Sequence, residues 1–113
     1  MILGIDYGLK NIGLAISEGQ IAEPLETIGV RGQGAGAREI QGIVKKYQVN
    51  KIVVGISEGK SKQRALGFGK KLGSVLGLPV EYVDETLSTY EAGPKAHAKA
   101  AAIILQRYLD ENV

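Results

Sequence analysis

Cysteine is absent from this chain, which excludes disulfides and thiolate metal sites and leaves nothing pointing to an oxidising compartment. No apolar run approaches the roughly 20 residues a bilayer-spanning helix needs, so no membrane partner is expected. The N-terminus lacks a basic start followed by a long apolar stretch, and a cytoplasmic location is the expectation. Internal repeats, linkers and low-complexity tails are missing as well. The 113 residues therefore read as one domain, residues 1–113, large enough to bury a core without covalent staples.

Excess charge is scarce too, at a formal net of +2, but its distribution is uneven. From Lys45 to Lys71 run Lys45, Lys46, Lys51, Lys60, Lys62, Arg64, Lys70 and Lys71, opposed by Glu58 alone. From Leu72 to Pro94 there is no Lys or Arg, while Glu81, Asp84, Glu85 and Glu91 accumulate. A basic middle followed by an acidic cluster fits a polyanion-binding surface beside a cation site. It equally fits a solvated helix face followed by an acidic loop.

What the chain does have is an informative start. Met1 to Tyr7 and Asn11 to Ser17 are apolar runs joined by a short glycine-bounded turn, a β-hairpin with Asp6 at its rim. A carboxylate there is placed to hold a divalent cation against a phosphate. Gly4, Gly8 and Gly13 leave backbone without side chains around it, through which a phosphate could approach. The plainer alternative is that Asp6 caps a turn.

Gln20 to Val30 reads as a third strand, with Pro24 implying an edge or a bulge. Ile40, Ile43, Val44 and Tyr47 recur at helical spacing over Arg38–Gln48, and Lys51–Ile56 is a compact apolar run suited to a parallel strand. Gln63 to Leu76 follows as a helix with Leu66, Leu72, Val75 and Leu76 inward, and glycines 67, 69 and 73 imply close packing or mobility. Pro79 to Val83 is a fifth strand, and Ser88 to Glu91 has the spacing of a capping box opening a short helix. A last helix spans Ala96–Leu109, buried along Ala98, Ala101, Ala102, Leu105 and Leu109 and widened by Ile103 and Ile104. A three-strand meander followed by alternating helix and strand predicts an α/β fold, a five-stranded mixed sheet with helices on both faces.

In open α/β sheets ligands collect beyond the carboxyl ends of the strands. Asp6 ends the first strand and Asp84 with Glu85 leaves the fifth; if those strands are parallel neighbours, the acids share one rim. His97 lies four residues before Ala101, on the inward side of the last helix and at its first turn. Two carboxylates and an imidazole suit a divalent cation or an acid–base pair. Turn capping by Asp84 or Glu85, and packing by His97, remain the simpler alternatives.

Taken together, Gly4-Ile5-Asp6-Tyr7-Gly8, Ile12-Gly13-Leu14-Ala15, Ile52-Val53-Val54-Gly55, Asp84-Glu85-Thr86-Leu87-Ser88-Thr89-Tyr90-Glu91-Ala92 and Ala101-Ala102-Ile103-Ile104-Leu105-Gln106 resemble the YqgF family, also called RuvX-like, in order and over nearly the whole chain. The resemblance implies a ribonuclease H-like fold and a metal-dependent nuclease that processes the 5′ end of pre-16S ribosomal RNA. A Holliday junction resolvase is the alternative activity, and a non-catalytic nucleic-acid-binding module a third reading.

Carried over by motif, Asp6 matches the family's first acid, and Asp84 with Glu85 its Asp-Glu pair. His97 stands where a third acid is usual, and Thr86 replaces an arginine. The catalytic set implied is Asp6, Asp84, Glu85 and His97, with Asp6, Asp84 and His97 holding Mg²⁺ or Mn²⁺. Lys10, Lys60, Lys62 and Arg64 would grip the nucleic-acid backbone, on structured RNA or branched DNA. Glu58 offers a substitute carboxylate. Nitrogen ligation by His97 implies a Mn²⁺ preference and loss of activity as acid protonates the ring. A monomer or a homodimer is expected, the dimer favouring junction resolution.

Overall fold

A computed structural model describes residues 1–8, 10–30, 35–56, 60–84 and 96–112, with side chains for all of these except 35, 60 and 61. The elements are β1 (Ile2–Tyr7), β2 (Asn11–Ser17), β3 (Glu23–Gly29), α1 (Ala35–Tyr47), β4 (Lys51–Ile56), α2 (Lys60–Leu76), β5 (Val80–Asp84) and α3 (Ala96–Glu111). The five strands form one sheet in the order β3-β2-β1-β4-β5. β1 pairs antiparallel with β2 and β2 with β3, whereas β1–β4 and β4–β5 are parallel. The carboxyl ends of β1, β4 and β5 therefore share one rim. β5 is not the neighbour of β1, however: β4 lies between them.

Pro24 sits in edge strand β3, where its missing N–H costs no ladder bond to a further strand. The register slips between Leu14 and Ala15, which pair with Glu26 and Pro24, so Leu25 is the extra residue of a bulge.

Alternation along the strands separates two cores. Leu3, Ile5, Ile12, Leu14, Ile52 and Val54 face α1 and α2, meeting Ile40, Ile43, Ala65 and Leu72. Ala15, Val53 and Val83 face α3, meeting Ala101, Ile104, Leu105, Tyr108 and Leu109. The α2 stripe follows Ala65, Gly69, Leu72 and Leu76, which leaves Val75 at its edge and 56% exposed rather than inward. On α3 Ile103 is likewise exposed, because it lies about 200° round the helix from Ala101 and Leu105; Ala102 is half-buried. Ala100 and Tyr108, outside the predicted stripe, are buried.

Two helical glycines are explained by packing. A Cβ on Gly69 would stand 2.7 Å from the Tyr82 hydroxyl, and one on Gly73 3.0 Å from Val80. α2 ends at Gly77 (φ +66°), whose N–H donates to the Gly73 carbonyl at 2.9 Å, a left-handed cap. Tyr7, at the end of β1, stacks on Phe68 with ring centroids 4.4 Å apart and fixes α2 near the rim. The short helix expected from Ser88 lies outside the described residues. Among the described residues no helix is long and apolar enough to cross a membrane.

Candidate active site

Asp6 is one of two buried polar side chains among the described residues, the other being Ser17, and it sits on the α3 side of the sheet. Its neighbours across the ladders are Gly13 on β2 and Gly55 on β4. The row continues to Thr27 on β3 and Val83 on β5. The carboxylate is thus flanked by two residues with no side chain, in the last layer of the sheet before the rim.

Gly13 also decides how close α3 comes. A Cβ there would lie 1.8 Å from the His97 carbonyl oxygen, so the first turn of α3 rests on bare backbone. Further along the helix, a Cβ on Gly4 would lie 2.7 Å from that of Leu105. Gly8 closes the hairpin turn, its Cβ position being 2.6 Å from the Asn11 carbonyl. The glycines expected to admit a phosphate therefore serve first to seat a helix and close a turn. Seating the helix is what brings His97 to Asp6: Nδ1 stands 3.9 Å from Oδ2. That exceeds hydrogen-bond distance but is within the span of two ligands on one ion, whose bonds of about 2.1 Å allow separations up to about 4.2 Å. The ring is about one-third exposed and the carboxylate only 7%, so the pair opens to solvent on the histidine side.

Asp84, exposed, is the last residue of β5. It follows Val83, which is level with Asp6 through Gly55, so Asp84 lies at the same rim, two strands across and one residue further out. Two strand spacings are about 10 Å. The pleat turns Val83 to the α3 face, as Asp6 is, and the next residue to the opposite face. The Asp84 carbonyl accepts a 2.8 Å hydrogen bond from Arg107, which ties the end of β5 to α3. Glu85 and Glu58 lie outside the described residues. Among the described residues no cluster of three or more potential metal ligands forms.

The basic candidates lie around this end. Lys10 is exposed in the hairpin turn, its carbonyl accepting from Val30 N–H at 2.8 Å. Lys62 and Arg64 are exposed in the first turns of α2, the helix that Lys60 opens.

Residues unforeseen in the sequence hold α3 in place. Lys51 Nζ donates to the Tyr108 hydroxyl at 2.9 Å and pairs with Glu81 at 3.5 Å. The hydrogen bond to Tyr108, then the Glu81 charge, raise the Lys51 pKa. Glu81 is lowered, chiefly by its hydrogen bond with Tyr108 and also by Lys51. Gln106 accepts from Ala22 N–H at 2.9 Å and donates to the Gln20 carbonyl at 2.9 Å, clipping the β2–β3 connection to the helix. Thr27 Oγ1 is buried without a hydrogen-bond partner in the same row as Asp6. No one-dimensional pattern marks these residues.

Residues 1–111 match the family model described as RuvX, Holliday junction resolvase. The chain belongs to the RuvX family. A relative from Caldanaerobacter subterraneus, named "Putative pre-16S rRNA nuclease", is 38% identical, covering 96% of this chain and 95% of the relative. One of the same name from Anaeromyxobacter dehalogenans is 35% identical over the same shares. Among solved structures, Thermus thermophilus RuvC in complex with a Holliday junction substrate superposes with a TM-score of 0.69, at 16% identity, covering 98% of this chain and 94% of that one. That likeness shows the fold, which is the ribonuclease H-like fold expected of the family.

Proposed function

We propose that this RuvX-family chain is a metal-dependent nuclease that hydrolyses phosphodiester bonds in structured RNA, with the 5′ end of pre-16S ribosomal RNA as its substrate. The observation that carries the reading is the Asp6–His97 pair, held 3.9 Å apart at the carboxyl rim of the sheet by a helix seated on Gly13. The rest of its ladder row is Gly, Gly, Thr and Val, so Asp6 is the one ionisable side chain in it.

The donor set fits Mg²⁺ or Mn²⁺. Such ions are held by one or two carboxylates plus water and substrate phosphate rather than by a full protein cage, so the absence of a three-ligand cluster among the described residues is compatible with the fit. Asp6 and His97 would hold the ion; Asp84 and Glu85 enter on the family's Asp-Glu motif, as carboxylates at the same rim, since Asp84 leaves β5 on the opposite pleat from Asp6. A bound divalent ion would provide Lewis acidity toward the phosphodiester and toward the attacking water.

On this proposal the protein's own residues have these parts. Asp6, buried between Gly13 and Gly55, presents Oδ2 toward His97. His97 supplies a ring nitrogen from a helix turn fixed by backbone contact, so the donor arrives oriented. Lys10, Lys60, Lys62 and Arg64 neutralise phosphates at this rim, which sets affinity more than sequence preference.

The test is a cleavage panel of pre-16S fragments, single strands and four-way junctions, with Mg²⁺ and Mn²⁺ compared. Metal-dependent cleavage of the ribosomal precursor that is lost in Asp6→Asn and in the double variant Asp84→Asn/Glu85→Gln supports the proposal. Preferential cutting of junctions would shift the substrate to branched DNA, as the family's resolvase description suggests. Binding without cleavage of any member, in either metal, would leave a non-catalytic module.

A further inference from the structure

The two helices on the face away from α3 carry a charge pattern that the site uses only at Lys62 and Arg64, at the start of α2. On α1 the exposed residues include Arg38, Lys45 and Lys46; on α2 they include Lys62, Arg64, Lys70 and Lys71. Glu39 is the one acid in either helix. None of these seven cations forms an ion pair among the described residues; Lys46 alone has a noted contact, lying 5.4 Å from the Tyr47 ring centroid. The outer side of α3 is different, since Arg107 and Lys99 are matched there by Asp110 and Glu111.

A second, independent feature lies in the same helices. Each has a glycine in its exposed middle, Gly42 on α1 and Gly67 on α2, and a Cβ at either would meet nothing within 4 Å. Glycine inside a solvent-facing helix is destabilising relative to alanine, and here no neighbour within the chain requires it. Gly69 and Gly73 are explained by Tyr82 and Val80; Gly42 and Gly67 are not. Both stand between cations: Arg38, Gly42, then Lys45 and Lys46; Arg64, Gly67, then Lys70 and Lys71. A notch free of side chain, bounded by positive charge one turn above and one turn below, suits close approach by a sugar–phosphate backbone.

We propose that the α1–α2 face seats the double-stranded body of the RNA substrate, one backbone strand in each basic–glycine–basic notch. The inference rests on the nucleic-acid reading above and extends it from the rim, where Lys62 and Arg64 lie, along the face of the sheet opposite α3. The rows run about 12 Å along α1, from Arg38 to Lys46, and about 14 Å along α2, from Lys62 to Lys71. α2 packs over β4 and β5 while α1 reaches β3, three strand spacings from β4, so the rows are separated by roughly 15 Å. Two rows that far apart match two strands bordering a groove, whereas a single strand follows one row. A duplex offers the phosphate geometry and the shape that RNA recognition of this kind uses.

The experiment measures binding in the cleavage-disabled Asp6→Asn protein, using an RNA hairpin stem, an unpaired RNA of equal length and a DNA duplex across a salt series. Replacing Lys45, Lys46, Lys70 and Lys71 by alanine should weaken stem binding and flatten the salt slope by about 0.9 for each phosphate no longer neutralised. Gly42→Ala and Gly67→Ala should each raise Tm by about 4 °C while weakening stem binding about tenfold, a pairing that a purely structural glycine would not give. An unchanged salt slope, alanine variants at the glycines that bind as the parent does, or tighter binding of unpaired RNA than of the stem would each overturn the inference. Should the unsubstituted surface bind none of the three probes, the nucleic-acid reading itself falls, which separates the two failures.

Discussion

Gly13→Ala places one methyl group where the chain has no room for it. The new Cβ would stand 1.8 Å from the His97 carbonyl oxygen, 2.2 Å from its carbon and 2.9 Å from Ala98 N, against ordinary contact from 3.4 Å. All three are backbone atoms, so no side-chain rotation relieves the clash, and the start of α3 must lift by about 1.6 Å. Overpacking of this kind costs about 1–3 kcal/mol. The rest of α3 stays anchored by Leu105 against Gly4 and by Tyr108 against Lys51, so the fold should survive with its first helical turn displaced. Displacement moves His97 from its 3.9 Å separation to beyond the roughly 4.2 Å that one ion can bridge. A misplacement of about 1 Å at a reacting centre costs on the order of 100-fold in rate. Urea unfolding gives the first quantity, and cleavage rate at saturating metal the second. Gly29→Ala serves as control, since a Cβ there meets nothing within 4 Å. A Gly13→Ala protein with parental stability and parental cleavage would refute the claim that this glycine sets the geometry of the pair.

His97→Ala should remain folded, its ring being partly exposed and the stripe from Ala101 to Leu109 intact, yet lose most cleavage; His97→Asp should recover activity and shift the metal preference from Mn²⁺ toward Mg²⁺. Full cleavage by folded His97→Ala, with the same metal preference, would return the residue to a packing role. Glu81→Gln removes a carboxylate whose pKa is lowered in the folded state, so its stabilisation is present above the unfolded carboxylate pKa and lost as pH falls through the folded one. Because the group is half exposed, the deficit should be about 0.5 kcal/mol at neutral pH and vanish in acid; a deficit independent of pH would contradict the assignment. Thr27→Val deletes a buried hydroxyl with no hydrogen-bond partner and should raise unfolding free energy by about 1 kcal/mol, as read from the urea midpoint at constant slope; a lower midpoint would mean the hydroxyl has a stabilising role after all.

Much of the architecture was legible without coordinates, because period-two and period-3.6 apolar patterns are local. The hairpin around Asp6, the apolar run Lys51–Ile56 and the edge position implied by Pro24 all follow from such patterns. Helical phase is not legible in the same way: Ile103 and Val75 are apolar but fall outside the buried arc, which depends on where the sheet lies and not on composition. The family motifs likewise named Asp6 and His97 as candidates.

The amino-acid order by itself determined the alternation of strands and helices, the charge-rich middle and the residue types available for chemistry. Only tertiary structure decided that β4 separates β1 from β5, which sets Asp84 two strands from Asp6, and that Gly13 carries a helix rather than a phosphate. Both are relations between residues distant in sequence, fixed when long-range pairing and close packing select one register and one helix position. The 3.9 Å between His97 and Asp6, 91 residues apart in the chain, is the product of that selection.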